Sequence, residues 1–581
     1  MRYGITFEKM HNMNKKSMRT VVILLMMWAG WPLLVSAGEG PLRPNILFIP
    51  VDDLRIDLGC YGNEQVITPN IDRLASEGTL FERAYCQVPV CGASRASFMT
   101  GLYPTAERFV TYYSKAEEDA PGVVDLPGWL QENGYTTISN GKVYHHASDN
   151  RSSWDEVHKP KDFRVYLLPE NQGLEFNEQV SYEAADVEDT GYPGGQLAEK
   201  IMGDLRRAKE SGTPFFITAG FTKPHLPFNA PKKYWDLYDR DKLELADNEF
   251  VPKGAPSEAI HNWGELRGYG DIPDEGPLPE GMNRILTHGY YASTSYTDAM
   301  IGKVLDELDR LEMRDNTIII LFGDHGWQLG EHSLWCKHSL FQTSMQAPMI
   351  ISAPGMPEGI QTKALVEFVD IYPTLCDLAG IPLPDHLQGK SVKPLMLDQE
   401  IAFKEAAFAR YHRGEVVKTD RFAYAEWKSG GRMLYDHQKD PDENINIVDN
   451  PEYRSVVEKL SGLLKAHREK VGQDDRLRKA SEPVGENSAP KWKRNTFKLK
   501  DPVVGQDYRS HVNWAASDKD GDSLTYELVA GPDWLKMTNS KYGRIEGVPE
   551  VAGEVVIVVS ASDGVNAPVE ANVILNVQGG Q

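Results

Sequence analysis

The run "PNILFIPVDD" ends an apolar stretch in two adjacent carboxylates, Asp52 and Asp53. Far along the chain, "NTIIILFGDHG" does the same with Asp324 and His325. Both runs read as buried parallel strands, and ligands of open α/β sheets bind outside the carboxyl ends of such strands. Two distant acidic groups can therefore meet at one edge. Three carboxylates cannot sit together ionised without a compensating cation, so the pattern points to a divalent metal. Mostly oxygen ligands favour calcium or magnesium over zinc, with one imidazole tolerated. An aspartate pair after a strand is often only a helix cap or a turn. Two such pairs, each closing an apolar strand, argue for a site.

A second feature is "VPVCGASRASFMTGLYP", where Cys91 stands among small residues four positions before Arg95. The alternatives are a buried structural thiol and a reactive centre. The start of the chain sharpens the choice. Lys15, Lys16 and Arg19 precede an apolar run from Val21 to Val35 and the small residues Ser36 and Ala37. This is the layout of a secretory signal over residues 1–37, too short in its apolar part for a membrane anchor. The expected destination is the periplasm or the extracellular space. Five cysteines (Cys60, Cys86, Cys91, Cys336, Cys376) in an exported chain leave at least one thiol for another task, the other four forming no disulfide, one or two.

The net charge of −22 argues against nucleic acid and anionic membranes as partners. An anionic substrate would need a locally basic pocket. The order of elements supports an α/β domain over 43–380 with a largely parallel sheet. "FFITAG" reads as another buried strand, and "SYTDAMIGKVLDELDRLE" has helical periodicity. A smaller α+β subdomain follows over 381–473. The charged, proline-containing stretch 474–494 reads as a linker. The alternating strands of 495–581 then read as a β-sandwich module.

Cys91-Gly92-Ala93-Ser94-Arg95, followed by Met99-Thr100-Gly101, resembles the signature of the type I sulfatase family. "PNIDRLASEGTLFERAYCQVPVC", "FVDIYPTLCDLAGIPLP" and "LYDHQKDPDENINI" extend the likeness over most of 43–470. "GKVYHH", "GFTKPHLPF" and "GDHGWQLGEHSLWCKHS" are most similar to its iduronate-2-sulfatase branch. The resemblance implies an alkaline-phosphatase-like fold and conversion of Cys91 to formylglycine by a maturase. It also implies one Ca2+ ion, held by Asp52, Asp53, the modified Cys91, Asp324 and His325. One hydroxyl of the aldehyde hydrate attacks sulfur, and the other lets the resulting sulfate ester collapse, an exit that serine or a thiol lacks. Arg95 answers the excess negative charge beside the nucleophile. Lys142 and His145 are implied to sit beside the formylglycine, with His145 taking its hydroxyl proton. His225 and Lys337 contact the sulfate, with His225 as general acid. Lys223 is a further candidate cation, while His146, His288, His332 and His338 read as structural. Ala93 stands where many sulfatases have proline, which leaves the type of maturase open.

The expected substrate is thus a sulfated carbohydrate, a uronic acid 2-O-sulfate attacked from the chain end, with loops 146–190 and 228–285 choosing the sugar. Phosphonate or phosphate monoester hydrolysis and choline sulfate hydrolysis are the alternatives within the same chemistry. The Asp52–Asp53 pair favours the sulfatase, since relatives acting on phosphorus usually keep only one. A catalytically silent binder of sulfated glycans should have lost a metal or nucleophile position, and every one is present. The C-terminal stretch resembles cadherin-like, immunoglobulin-like modules, and its expected role is to hold the enzyme near a polysaccharide or cell surface. Asp518, Asp520 and Asp522 have calcium-loop spacing, but Val529 stands where an EF-hand needs glutamate, so the stretch reads as a polar turn.

Overall fold

The computed structural model describes residues 43–160, 164–175, 177–472, 488–518, 524–540 and 543–579. The expected signal, most of the expected linker, and Asp520 and Asp522 lie outside the described residues. Within the described residues, no helix is long and apolar enough to cross a membrane.

Eight strands form the central sheet: β1 (Asn45–Val51), β2 (Thr79–Tyr85), β3 (Thr136–Asn140), β4 (Glu156–His158), β5 (Phe215–Thr218), β6 (Thr317–Gly323), β7 (Met349–Ser352) and β8 (Ile360–Glu367). Their order is β8-β2-β7-β6-β1-β5-β3-β4. All neighbours run parallel except β7, which is antiparallel to both β2 and β6. β1 explains why the sheet is buried on both faces. Successive side chains point to opposite sides, and both sides are apolar. Ile46 and Phe48 enter one core, Leu47, Ile49 and Val51 the other. Continuous rather than alternating hydrophobicity is what a helix-covered parallel strand requires.

Helices α1 (Pro69–Ser76), α2 (Cys91–Thr100), α3 (Pro193–Ser211), α4 (Glu280–Arg310) and α5 (Ile371–Ala379) pack around the sheet. α4 begins well before the periodic stretch that marks it in the sequence. Its first half, "EGMNRILTHGYYAST", is buried over so much of its circumference that no single apolar stripe marks it. α4 also secures α1. Thr68, at the N-cap of α1, makes no side-chain capping bond. Asp298 of α4 does this instead, accepting from Asn70 N (3.0 Å), Ile71 N (2.8 Å) and Asn70 Nδ2 (2.7 Å). Asp298→Ala strands these donors in a dry interface, and the expected loss of stability is about 2–3 kcal/mol by denaturant titration.

A four-stranded antiparallel sheet, β9 (Ala407–Tyr411) to β10 (Gly414–Lys418), β11 (Phe422–Trp427) and β12 (Arg432–Asp436), follows. Helix α6 (Arg454–Gly472) covers one face through Leu460 and Leu464, which meet Val417, Tyr424 and Leu434. The C-terminal residues form a β-rich region with its own core. One sheet is β13 (Thr496–Lys498), β19 (Val569–Val577), β18 (Gly553–Ser562) and β15 (Thr525–Ala530), in that spatial order. The other is β14 (Tyr508–His511), β17 (Arg544–Gly547) and β16 (Leu535–Asn539). Ile557, Val559 and Val573 of the first sheet share a core with Tyr508, Leu535 and Ile545 of the second. Lys491 and Trp492 pair with Ser517 and Ala516, and Trp492 joins this core. All five cysteines are free thiols.

Candidate active site

The register of β1 against β6 builds the site. Asn45 pairs with Thr317 and Val51 with Gly323, so the next residues, Asp52 and Asp324, emerge side by side. Asp324 N then donates to Val51 O (3.1 Å), and Asp52 N to Phe221 O after β5 (3.0 Å). The chain turns sharply at Asp53, whose φ of 60° lies in the left-handed region that an aspartate tolerates better than most residues. Its N–H donates to Asp324 Oδ1 at 3.0 Å. Both acidic runs therefore reach one edge, as expected.

Cys91 is the first residue of α2, and every residue of that helix is buried. A side chain at position 92 would meet Tyr112 O at 2.2 Å, so only glycine lets the helix start so close to that loop. Cys91 Sγ lies 3.2 Å from His325 Nε2 and 3.9 Å from Asp53 Oδ1. Ser94 Oγ donates to Asp324 O (2.5 Å), tying the first turn of α2 to the end of β6. One turn from Cys91, Arg95 is fully buried. Its Nε donates to Asp324 Oδ2 (2.8 Å), its Nη2 to Asp52 Oδ1 (3.2 Å), and its Nη1 to the carbonyls of Lys142 and Val143.

Ligand atoms of Asp52, Cys91, Asp324 and His325 lie within 4.8 Å of one another, as do those of Asp52, Asp53, Cys91 and His225. His325 Nδ1 donates to Gly326 O (2.9 Å), which leaves the Nε2 lone pair aimed into the cluster. Burial raises Asp53 to about 7 despite Lys337 beside it. Asp52 is also opposed by burial, but Lys142 and then His225 and Arg95 hold it well below the usual carboxylate range. A divalent cation among these oxygens would relieve the crowding that Asp53 feels. The donor set of three carboxylates, one directed imidazole and the group at position 91 fits such an ion.

The other predicted residues gather round this cluster. Lys142 Nζ donates to Asp52 Oδ2. Lys337 Nζ donates to Asp53 Oδ1 (3.0 Å) and lies 4.9 Å from the centre of the Trp327 ring. Burial opposes the charge on Lys337, but Asp53, Cys91 and Glu265 outweigh it and raise its pKa well above the lysine value. His225 Nε2 lies 4.0 Å from Asp52 and 3.9 Å from Asp53, while Nδ1 donates to Leu226 O (2.6 Å). His145 is pushed down to about 2 by burial and then by Lys142, so it is a neutral imidazole. Its Nδ1 is buried and makes no hydrogen bond among the described residues.

Lys223 is held differently. Its ammonium donates to the carbonyls of His225 and Pro227, which makes it a brace for the His225 loop. His146, His288 and His332 bond to carbonyl oxygens of Tyr112, Trp235 and Asp442 respectively, as structural histidines do. His338, also read as structural, lines the cavity. Sequence reasoning missed Glu265. Its Oε1 accepts from His225 Nε2 (3.0 Å) and from Lys337 Nζ (3.0 Å), linking the two groups assigned to the sulfate. No motif marks it, since it comes from the irregular loop 228–285.

A cavity of about 1400 Å³ opens above Cys91. Loops 146–190 and 228–285 supply Lys159, Arg164, Glu175, Arg267 and Asp274 to its walls. Ten lining residues are lysine or arginine and three are acidic, the reverse of the balance of the whole chain. Desolvation, and then Lys142 and Arg95, pull Lys159 down to about 8.

A family profile described as "Sulfatase" matches residues 44–381, and "N-sulphoglucosamine sulphohydrolase, C-terminal" matches residues 330–470. Human iduronate 2-sulfatase is 36% identical over 383 residues, covering 58% of this chain and 70% of that protein. A sulfatase of Formosa agariphila is 30% identical over 451 residues, covering 73% and 86%. The fold matches that of a solved protein in complex with its substrate D-glucosamine-2-N,6-O-disulfate, with TM-score 0.60 and 22% identity over 75% of this chain and 100% of the other. It also matches a phosphonate monoester hydrolase from Silicibacter pomeroyi, with TM-score 0.64 and 22% identity over 75% and 97%.

Proposed function

We propose, from the premise that this chain belongs to the sulfatase family and is a sulfuric ester hydrolase, that it is exported and acts on sulfated carbohydrate. The bond cleaved is the 2-O-sulfate ester of a uronic acid at the chain end, and the product is inorganic sulfate. One observation carries this reading: the thiol of Cys91 lies in the acidic cluster at the floor of a cationic cavity. The similarity to iduronate 2-sulfatase supports the choice of sugar.

A formylglycine at position 91 supplies the nucleophile, and calcium, when bound by Asp52, Asp53, Asp324, His325 and residue 91, acidifies it and polarises a sulfate oxygen. The chain's own residues do the rest. Lys142 and Lys337 carry the charge that draws the sulfate to the floor of the cavity. Arg95 fixes Asp52 and Asp324 in register. His225 Nδ1 is occupied by Leu226 O, so its proton for the leaving oxygen sits on Nε2; burial holds the imidazole below the usual histidine value, and Asp52 and then the Glu265 bond oppose that fall. His145 takes the proton released from residue 91, a role supported by its neutral imidazole, its unengaged ring nitrogen and its place in the same cavity wall.

The test is sulfate release from a 2-O-sulfated uronosyl disaccharide, with 6-O-sulfated glucosamine, choline sulfate and a phosphonate monoester as competitors. The expected preference for the first is about 100-fold or more in kcat/KM. A preference for the phosphonate overturns the reaction class, and a preference for another sulfate overturns the sugar.

Glu265→Gln keeps the shape of the Lys337 and His225 contacts but removes the charge. The expected outcome is a fall in kcat of about 10- to 100-fold with a smaller change in KM. Equal kcat values would show that Glu265 has no part in placing the acid.

A further inference from the structure

The C-terminal β-rich region is not only attached to the catalytic domain; it forms part of the cavity wall. Lys498 at the end of β13, Lys500 just after it, Arg509 and His511 of β14, and Arg544 of β17 line the same cavity as Cys91. Contacts among the described residues hold the region there. Arg544 makes a two-pronged salt bridge to Asp274, whose carboxyl is lowered chiefly by that bond. Lys500 Nζ lies 3.3 Å from Glu178, and Lys493 Nζ lies 5.3 Å from the centre of the Tyr113 ring. These anchors fall on both loops expected to choose the sugar and on the loop next to the start of α2. Asp274 lies nine residues along from Glu265, which touches His225 and Lys337.

We propose that this region supplies a distal cationic subsite for a second anionic group of an oligosaccharide whose terminal sulfate lies at Cys91. The inference rests on the reading of the substrate given above. Three observations carry it. The cavity volume of about 1400 Å³ exceeds the roughly 300–1,000 Å³ of a usual small-ligand site, so one sugar leaves much of it unfilled. The part built by the β-rich region presents cations, while the chain as a whole is strongly acidic. Lys498 is exposed and has no ion-pair partner among the described residues. Arg509, also exposed, forms its ion pair among the described residues within its own sheet, with Glu546 on the neighbouring strand, and its charge also acts on Asp274. Neither makes a docking bond itself, since the direct contacts to Asp274, Glu178 and Tyr113 come from Arg544, Lys500 and Lys493. Cations on a rigid β-scaffold at the rim of an anion site add charge complementarity at a set distance from the reacting bond. The ligand is therefore an oligosaccharide carrying sulfate or carboxylate on at least two sugars.

The experiment uses the full chain with Cys91→Ala, so that sugars bind without being consumed. Calorimetry compares a disaccharide with a tetrasaccharide, both of alternating 2-O-sulfated uronic acid and N-sulfated glucosamine. The tetrasaccharide is expected to bind about tenfold or more tightly, and Lys498→Glu with Arg509→Glu is expected to abolish that advantage. The advantage should also shrink as salt rises from about 0.05 to about 0.5 M, because an exposed subsite is screened. Arg544→Ala, which unlatches the region from Asp274, should reproduce the loss while the thermal transition of the catalytic domain stays in place. An undiminished tetrasaccharide advantage in the double variant overturns the subsite and leaves the reading of the substrate intact. Failure of both sugars to bind the Cys91→Ala protein overturns that reading, and the subsite with it.

Discussion

Cys91→Ala should lose sulfate-ester hydrolysis by at least about 10⁴-fold in kcat while retaining a cooperative fold, because a covalent nucleophile cannot be replaced by its neighbours. The lost group is small, and burial lifts its thiol above the ordinary cysteine range. Cys91→Ser is the sharper comparison. A serine hydroxyl at the start of α2 can take sulfate from one ester molecule, but it lacks the second hydroxyl through which a hydrated aldehyde would release it. The expected record is at most one equivalent of alcohol released per protein, followed by arrest, with about 80 Da gained by the peptide that contains residue 91. Steady turnover by the serine variant would contradict the proposed nucleophile.

The second large effect is structural. Arg95 has no solvent exposure, and its guanidinium joins Asp52, Asp324 and two carbonyls of the Lys142 turn. Arg95→Met leaves two buried carboxylates without their shared cation. The expected cost is about 3–5 kcal/mol, the usual penalty for uncoupling a buried ion pair, read as a lower denaturation midpoint with activity falling at least about 100-fold. Arg95→Lys should recover only part of the stability, since an ammonium cannot span Nε, Nη1 and Nη2 contacts lying in one plane. A methionine variant within about 1 kcal/mol of the parent would mean that the carboxylates share charge by another route.

The acidic cluster is legible in the sequence because its parts end strands. A parallel register with Val51 opposite Gly323 leaves little choice about where Asp52 and Asp324 go. Cys91 and Arg95 share a helical turn, which places the guanidinium under the thiol. Glu265 has no such marker. Its position is set by an irregular loop, fixed by tertiary bonds to His225 and Lys337 that no local period announces. The early start of α4 is hidden for a related reason: a helix buried over most of its circumference has no polar face to give it a period. The β-rich region shows a third limit. Its alternating strands are visible in the sequence, but its attachment beside the cavity depends on Arg544 meeting Asp274, a pair 270 positions apart.

The central claim is that Cys91 is the precursor of the nucleophile, and one mass decides it. Trypsin should release Ala84–Arg95 from protein isolated from the cells that make it, with Cys86 as an internal control in the same peptide. Conversion of Cys91 to formylglycine exchanges sulfur for oxygen with loss of hydrogen, lowering the peptide by about 18 Da at position 91 and leaving Cys86 unchanged. That loss is the predicted result. A peptide in which both residues remain cysteine, from a preparation that hydrolyses sulfate esters, would contradict the account.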